Sequence, residues 1–538
     1  MSRPAPAGPI ARTFGVGAFF LLLYSMLGSK QYTAVDGSLR CLDVFRNPVL
    51  AVSGNNHLLY PAYVLGWHRL LGLFGVTSAD AFGFLRATQL MNATAAAGAL
   101  ALLYWIVRTE TASEATALVA AAGLALSRAF LLHATNSAEP MVGLWWALVA
   151  VAAAVVAQRR GSVPAAAAAG LALALGLASY ASMLLVAPAA LLLLRRGDGA
   201  RRRVVTFLVS ATLAAAAIFG VAHASSGVSR PGGMTGRLLE LPGISVWGGV
   251  SLARAAKLPL GFAQSVLPIL PSGYGGLRSF ARAAAPFRIV WVAAALAGIA
   301  ALCAALVWRA WRWRRQTERD ALATPVAIAA GLAAALIAPL AWDPLYDKLW
   351  LLPTALAFLL GGLVVAGTGG WARRGIAVGA VVLVAIETAV NATWAIPAHR
   401  HESPYLEPAR VVARTAQPGD LIVLDWDPVS ELYSGLWGTD GTFLTLPTEA
   451  VLHGPTALVA LDSAVAVTRR RGRSAYFLGV LDETPAAWDA FLGQRLHLPY
   501  AALDRYRDSS VVYARFGAGA GNALTLRRLS PPDSEVAR

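Results

Sequence analysis

Asp36 and Asp43 stand seven residues apart in a polar stretch, Tyr32 to Pro61, that separates two long apolar runs. In a helix that spacing returns both carboxylates to nearly one face, two turns apart, so one can act as a base while the other orients it or faces solvent. A carboxylate at the edge of an apolar phase has its basicity set by partial desolvation and by any nearby cation, which is how general bases are tuned. The competing reading is an exposed acid that marks a helix end. Asn55, Asn56 and His57 follow in the same stretch, then Leu58 to Pro61. Asp425, Asp427 and Glu431 lie close together further on and have the types to bind a cation or sugar hydroxyls, but strand-end caps and solvated loop acids account for them better.

What must position the early acids is a membrane bundle. Of 538 residues, 57% are hydrophobic and 14% charged, with a mean hydropathy of +0.57, a balance outside that of soluble globular domains. A transmembrane helix needs about 20 mostly apolar residues. Eleven stretches qualify: 13–28, 87–107, 115–132, 139–157, 163–179, 180–194, 204–224, 288–308, 322–341, 349–367 and 375–395. Only Ser179-Tyr180 separates the fifth from the sixth, and Pro164 and Pro188 sit near the outer limits of that pair, so either can be tilted or broken. No small-residue cleavage site precedes Lys30, so the first apolar run reads as a retained helix. Cys41 falls outside the spans and Cys303 inside one, which implies no disulfide framework.

Charge gives the orientation. On this assignment one side receives Arg3, Arg12, Arg108, Arg159, Arg160, the block Arg195 to Arg203, the run Arg309 to Arg319, and Arg373 with Arg374. By the positive-inside rule that side, with the N-terminus, is cytoplasmic. The net charge of +16 then reflects topology and contact with anionic lipid headgroups, not nucleic-acid binding. Opposite lie the external segments 30–85 and 225–286 and everything after about residue 396. The 225–286 segment mixes Gly and Pro breaks with apolar stretches carrying Arg254, Lys257 and Arg278, a pattern for interfacial helices that cover a groove or serve as a structural lid.

Beyond His399 the character changes to short apolar runs bounded by Gly, Pro and Asp. Residues 420–425, 457–461, 474–480 and 510–516 read as buried strands, and Leu406 to Thr415 and Ala486 to Leu496 as helices. The expected organisation is therefore a transmembrane domain over 1–398, a small extracytoplasmic α/β domain over 399–520, and a tail over 521–538 expected to be disordered.

Several of these pieces resemble the clan C (GT-C) glycosyltransferases, integral-membrane enzymes that use polyprenyl-phosphate sugars. The likeness is to the family 39 branch with the protein O-mannosyltransferases and aminoarabinose transferases. It is carried by Val35-Asp36-Gly37, then Asn55 to Pro61, then Leu71 to Gly75 and Phe84-Leu85-Arg86, whose order and spacing agree over residues 32 to 105. His133 to Pro140, ending Ala138-Glu139-Pro140, resembles the family's polar or acidic helix mouth. Tyr346-Asp347-Lys348-Leu349-Trp350 with Pro353 resembles its basic-aromatic opening of a late span. The chain departs from the pattern in three places. It has a single acid where many relatives have an adjacent pair, Lys348 where Arg is usual, and Leu58 after His57 where Pro is common. A lysine neutralises a phosphate as a point charge without the bidentate fork of arginine.

The resemblance implies a membrane protein of about eleven helices with GT-C architecture and a small C-terminal α/β domain, placed in the bacterial inner membrane. It implies transfer of a sugar from a polyprenyl-phosphate donor to an extracytoplasmic glycan, lipid or protein, with Asp36 as general base. Lys348, with Arg86, would stabilise the departing phosphate. Glu139, His57, Asn56 and Asp43 would position donor or acceptor, and Tyr346 and Trp350 would stack on a ring or the lipid. No zinc-type ligand spacing occurs, and no cofactor is assigned, although Asp36, Glu139 and a lipid phosphate leave room for a divalent cation. The rivals are a transporter or flippase of lipid-linked sugars and a noncatalytic envelope-assembly protein. Against the first, charged residues are nearly absent from span centres and no inverted repeat is visible. A reporter enzyme fused after residue 396 is expected to be active outside the cytoplasm; a cytoplasmic signal would mean that the span parity is wrong.

Overall fold

Runs of Ala, Leu, Val and Gly dominate the chain up to His399, and Ala and Leu lose little side-chain freedom in a helix. The computed structural model describes residues 9–31, 35–48, 58–225, 250–267, 323–366, 370–403, 406–424, 441–446, 456–482, 485–488, 499–516 and 524–530, with Leu432 and Glu449 as single positions. It divides into two compact units, one made of Met1–Ser29 with Asp43–His399, the other of Lys30–Leu42 with Arg400–Arg538.

The helices in chain order are α1 (Pro9–Met26), α2 (Val35–Arg46), α3 (Leu59–Leu73), α4 (Ala81–Thr111), α5 (Glu114–Leu126), α6 (Arg128–Ala134), α7 (Glu139–Arg160) and α8 (Val163–Ser179). A 3-10 turn over Ala181–Val186 leads into α9 (Ala187–Leu194) and α10 (Ala200–Ser225). Then come α11 (Leu258–Val266), α12 (Ala323–Ala335), α13 (Ile337–Ala341), α14 (Leu351–Ala366) and α15 (Gly370–Arg400). Among the described residues six helices are long and apolar enough to cross a membrane, and a seventh if the bent pair α5–α6 is one span. A helix stands at every expected span except 288–308, which lies outside the described residues, but the count of eleven full spans is not reproduced. The helices at Ile10–Met26, Val163–Ser179 and Ala181–Leu194 are shorter. At 1.5 Å per residue, 17 residues reach about 25 Å, short of a hydrocarbon core of about 30 Å.

Small residues let these helices approach closely. A Cβ on Gly170 of α8 would fall 2.3 Å from the Phe207 carbonyl oxygen of α10, and one on Gly123 of α5 would fall 2.4 Å from the Phe358 ring of α14. The described part of the 225–286 segment is more than a surface cover. In α11, Leu260, Ala263 and Val266 are buried and pack with Leu345, Phe358, Leu383, Ile386 and Val390.

In the second unit, α16 (Leu406–Thr415), β1 (Leu421–Leu424), β2 (Thr442–Thr445), α17 (Ala457–Arg470), β3 (Ala475–Leu478), α18 (Asp504–Ser509), β4 (Val511–Phe516) and β5 (Leu524–Leu529) form an α/β domain. Its sheet runs β2-β1-β3-β5-β4, with β1 parallel to β2 and β3, and β5 antiparallel to β3 and β4. β1 and β3 are buried on both faces, as central parallel strands must be. Leu421, Val423 and Phe477 point into one core, and Ile422, Leu424 and Tyr476 into the other. The Asp420 carboxylate accepts from the amides of Gln417 and Ser474, a strand-end cap.

Two expectations are corrected here. Residues 457–461, read as a strand, begin α17, because Ala457, Leu461, Val465 and Thr468 recur on one helical face and a five-residue apolar run does not distinguish the two periods. The tail from 521 is not disordered throughout, since Leu524–Leu529 forms β5 between β3 and β4. The acids Asp425, Asp427 and Glu431 lie outside the described residues, as do 489–496 of the expected helix, of which Pro485–Trp488 is seen.

Gly261 of α11 makes the tightest approach to the turn before α14: a Cβ there would come 1.8 Å from the Pro344 carbonyl oxygen and 2.7 Å from Trp350 Nε1. Gly261→Ala should therefore lower thermal stability in detergent by the equivalent of about 1–3 kcal/mol. Gly66→Ala, where a Cβ meets nothing within 4 Å, should be neutral. Equal unfolding temperatures for the two variants would refute the close approach.

Candidate active site

Two buried segments of the first unit meet through opposite charges. The first begins where α5 gives way to α6 with a 70° bend. Ser127 breaks the helix with an extended backbone while its hydroxyl donates to the Leu124 carbonyl. Helix α6 then carries Arg128 and His133, and the turn 135–138 leads into α7, whose first residue is Glu139. That turn is anchored from several sides. Asn92 of α4 donates to the carbonyls of Asn136 and Ala138 at 2.8 and 2.9 Å. The Ser29 amide donates to the Thr135 carbonyl, and the Ser137 hydroxyl to the Leu85 carbonyl. Glu139 is thus delivered on a fixed backbone, 1% exposed.

The second segment is the 3-10 turn Asp347–Trp350 that opens α14. Asp343 starts it by accepting from the Leu345 amide at 2.9 Å, an Asx turn around Pro344. Trp350 locks it by donating from Nε1 to the Pro344 carbonyl at 2.7 Å while its ring meets Phe262 edge-on. Asp347 and Lys348 then reach opposite partners. Lys348 forms a salt bridge with Glu139 and lies over the Tyr180 ring, 5.6 Å from its centroid. Asp347 pairs with Arg128 at 2.7 Å, and Arg128 also donates to the Gln264 carbonyl of α11. Isolated charges in such surroundings are prohibitive, whereas paired and hydrogen-bonded ones are tolerated.

The residues singled out from sequence fare differently. Glu139 and Lys348, 209 positions apart, are brought into direct contact. Asp36 and Asp43 both lie in α2, which gives the expected spacing on one helix; Asp43 is exposed, and the Asp36 side chain lies outside the described ones. Asn56 and His57 also lie outside the described residues. Arg86 is exposed on α4 and forms no salt bridge among the described residues, in contrast to buried Lys348. Tyr346 is half-buried and its carbonyl accepts from the Leu349 amide. Trp350 is 1% exposed and engaged in packing, so its ring presents no free face to a sugar or lipid. Among the described residues no group of three or more His, Cys, Asp or Glu is arranged to hold a metal.

Arg128, Asp347, His133 and Glu387 were not singled out. Glu387 is fully buried in α15, and among the described residues neither of its oxygens is hydrogen-bonded. One turn on, Asn391 donates to the carbonyls of Leu126 and Val266. An acid inside an apolar span was the available signal for Glu387. Near the turn to α4, His68 of α3 stacks on Phe84 at 3.5 Å between centroids and lies 3.0 Å from Thr88 Oγ1. Burial holds its pKa down at about 4, with the Phe84 backbone pulling the other way.

Helical spans, paired intramembrane charges at one helix mouth and a small α/β domain define a polytopic membrane protein of GT-C-like architecture. No family model matches the chain, and no curated protein does. A solved structure of ArnT from Cupriavidus metallidurans bound to undecaprenyl phosphate is similar to it over 97% of this chain and 98% of that one, at 13% identity and a TM-score of 0.52. The apo state of the same ArnT aligns over 96% and 97%, at 15% identity and a TM-score of 0.45. This chain therefore has the ArnT fold, in agreement with the resemblance to the GT-C transferases.

Because Lys348 and Glu139 are buried against each other, removing one should cost more than removing both. Glu139→Gln or Lys348→Met alone should destabilise the protein by about 3–5 kcal/mol, and the double variant should recover much of that in thermal unfolding. Additive losses would mean that the two side chains do not depend on each other.

Proposed function

We propose that this protein is a membrane glycosyltransferase that moves a sugar from a polyprenyl-phosphate donor to an extracytoplasmic glycan, lipid or protein. The observation that carries the reading is the whole-length likeness of fold to an ArnT structure bound to undecaprenyl phosphate. The buried Lys348–Glu139 pair, at a helix mouth that the sequence likeness had already marked, supports it.

On this reading the lipid chain of the donor lies in the bilayer and its phosphate faces the Lys348 ammonium. Asp36 takes the proton of an acceptor hydroxyl. The oxygen attacks the anomeric carbon, the bond from that carbon to the phosphate oxygen breaks, and its electron pair leaves with the polyprenyl phosphate. Displacement in line inverts the anomeric centre. Glu139 holds the Lys348 ammonium in place, the preorganisation from which electrostatic catalysis draws most of its effect.

Topology supports an external site. Glu139 begins α7 and Arg159 and Arg160 end it, about 30 Å apart along a helix rising 1.5 Å per residue. If the basic ends are cytoplasmic, the charge cluster faces the opposite side of the membrane, where translocated lipid-linked sugars are found.

The test is transfer and release of polyprenyl phosphate by purified protein supplied with a panel of polyprenyl-phosphate sugars and envelope acceptors. Asp36→Asn should lower turnover at least about 100-fold, the usual worth of a general base, with donor binding intact. Lys348→Ala should impair donor use more than acceptor use. Retained turnover in the first variant would remove Asp36 as the base. Absence of both transfer and donor binding in the unaltered protein would favour a transporter or an assembly factor.

A further inference from the structure

The arginine block between α9 and α10 forms a turn in which the side chains have separate tasks. Arg203 folds inward, 2% exposed, and donates to the carbonyls of Asp198 and Arg196. The backbone around it turns at Gly197 and Gly199, with φ of +69° and +71°, a region that glycine enters without steric cost. The turn is thus held by its own buried guanidinium, and other arginines are left outside. Two of these, Arg195 and Arg201, line a cavity of about 320 Å3 together with Ala200, Val204 and Val205. Neither is paired with a carboxylate among the described residues. Asp198, the one acid in the turn, is exposed and does not line the cavity.

From the cavity onward the outer face of α10 is apolar. Val205, Leu208, Val209 and Leu213 are each 46% exposed or more and follow at helical spacing along one side. Phe207, on the opposite side, is buried where α10 meets α8 at Gly170. Of the apolar stretch Ala200–Ala222 only 6% is buried, so in a bilayer the rest of it meets acyl chains. The arginine end of α10 is its cytoplasmic end by the positive-inside rule, and the cytoplasmic leaflet carries anionic lipids. One ligand chemistry matches both parts. Two guanidinium groups without acids favour a phosphate, which accepts charge-assisted hydrogen bonds from each planar fork. A free phosphate would leave Val204, Val205 and the apolar face beyond them unused, and a zwitterionic lipid would bring a cation of its own toward the arginines. We infer that this cavity binds an anionic phospholipid of the cytoplasmic leaflet, with its phosphate between Arg195 and Arg201 and an acyl chain along Val205, Val209 and Leu213. Snorkelling explains contact between arginines and headgroups in general, but Arg202, adjacent to Arg201 and also exposed, does not line the cavity. Such a site stands apart from the proposed transfer reaction and does not depend on it.

The test uses the full-length protein in detergent, with phosphatidylglycerol, phosphatidylcholine and glycerol phosphate as probes. Binding is followed by titration and by lipid retention in native mass spectrometry. The unaltered chain should bind phosphatidylglycerol at least about 10-fold more tightly than phosphatidylcholine, and Arg195→Gln with Arg201→Gln should abolish that preference, because each arginine gives up a charge-assisted hydrogen bond. A control variant, Arg160→Gln with Arg202→Gln, removes the same charge from exposed positions on the same side. Its phosphatidylglycerol binding should stay within about 2-fold of normal, as expected where only solvated surface charges are lost. Without added lipid both variants should unfold at the temperature of the unaltered chain, since all four side chains are exposed. Equal weakening in the two variants would overturn the site in favour of diffuse surface charge. Phosphatidylglycerol binding unchanged in the Arg195→Gln, Arg201→Gln variant would overturn it as well, as would equal binding of the two lipids by the unaltered chain. Glycerol phosphate competing as well as phosphatidylglycerol at equal concentration would overturn the lipid as the source of the phosphate.

Discussion

Charge burial is the constraint around which the first unit is organised. Two cations and two carboxylates, Lys348 with Glu139 and Arg128 with Asp347, lie in an apolar bundle where an unpaired ion would be untenable. Each pair joins the α6–α7 segment to the short turn before α14, so the two segments can be buried only together. The features that look incidental follow from this. The bend at Ser127 aims Arg128, the Asn92 clamp fixes the entry to Glu139, and the Trp350–Pro344 bond sets the turn that sends Asp347 and Lys348 to different partners. Gly261 is small because α11 must lie against that turn.

A pre-paired lysine is well suited to the proposed chemistry. The sugar-linked donor carries one negative charge on its phosphodiester, whereas the released polyprenyl phosphate is a monoester whose charge at neutral pH is about −1.5 to −2. Negative charge on the phosphate therefore grows as the anomeric bond breaks. A cation half-compensated by Glu139 in the resting state interacts more strongly as that charge develops, and only interactions that strengthen toward the transition state accelerate the reaction. On that proposal Glu139 serves the lysine first, by fixing its position.

Much of this was legible in the sequence, for reasons that differ between elements. Apolar runs long enough to span a bilayer report themselves, so helices stand where they were expected throughout the described membrane unit, and α8 and the 181–194 segment are as short as their apolar runs, but the run 115–132 did not reveal that α5 and α6 bend at Ser127. Glu139 and Lys348 were each marked by the resemblance to the GT-C transferases, at the openings of apolar helices. Their pairing across 209 positions was not, since nothing local encodes which distant charge will neutralise which. Arg128, inside the expected span 115–132, and Asp347, quoted only as part of the Tyr346–Trp350 motif, were passed over for the same reason. In the second unit, α17 was mistaken for a strand because five apolar residues carry no period, and β5 was missed because Leu526 and Leu529 are separated by two arginines that resemble a solvated tail.

The remaining polar groups divide by whether the protein itself satisfies them. Asn391, though buried in the last span, bonds the ends of α5 and α11 and is explained as glue between helices. Asp420 is explained as a cap between two strands. Trp350 is explained by its carbonyl partner and its neighbour Phe262. Glu387 and His133 differ from all three: both are buried, and neither has a hydrogen-bond partner among the described residues, so the fold bears the cost of leaving them unpaired.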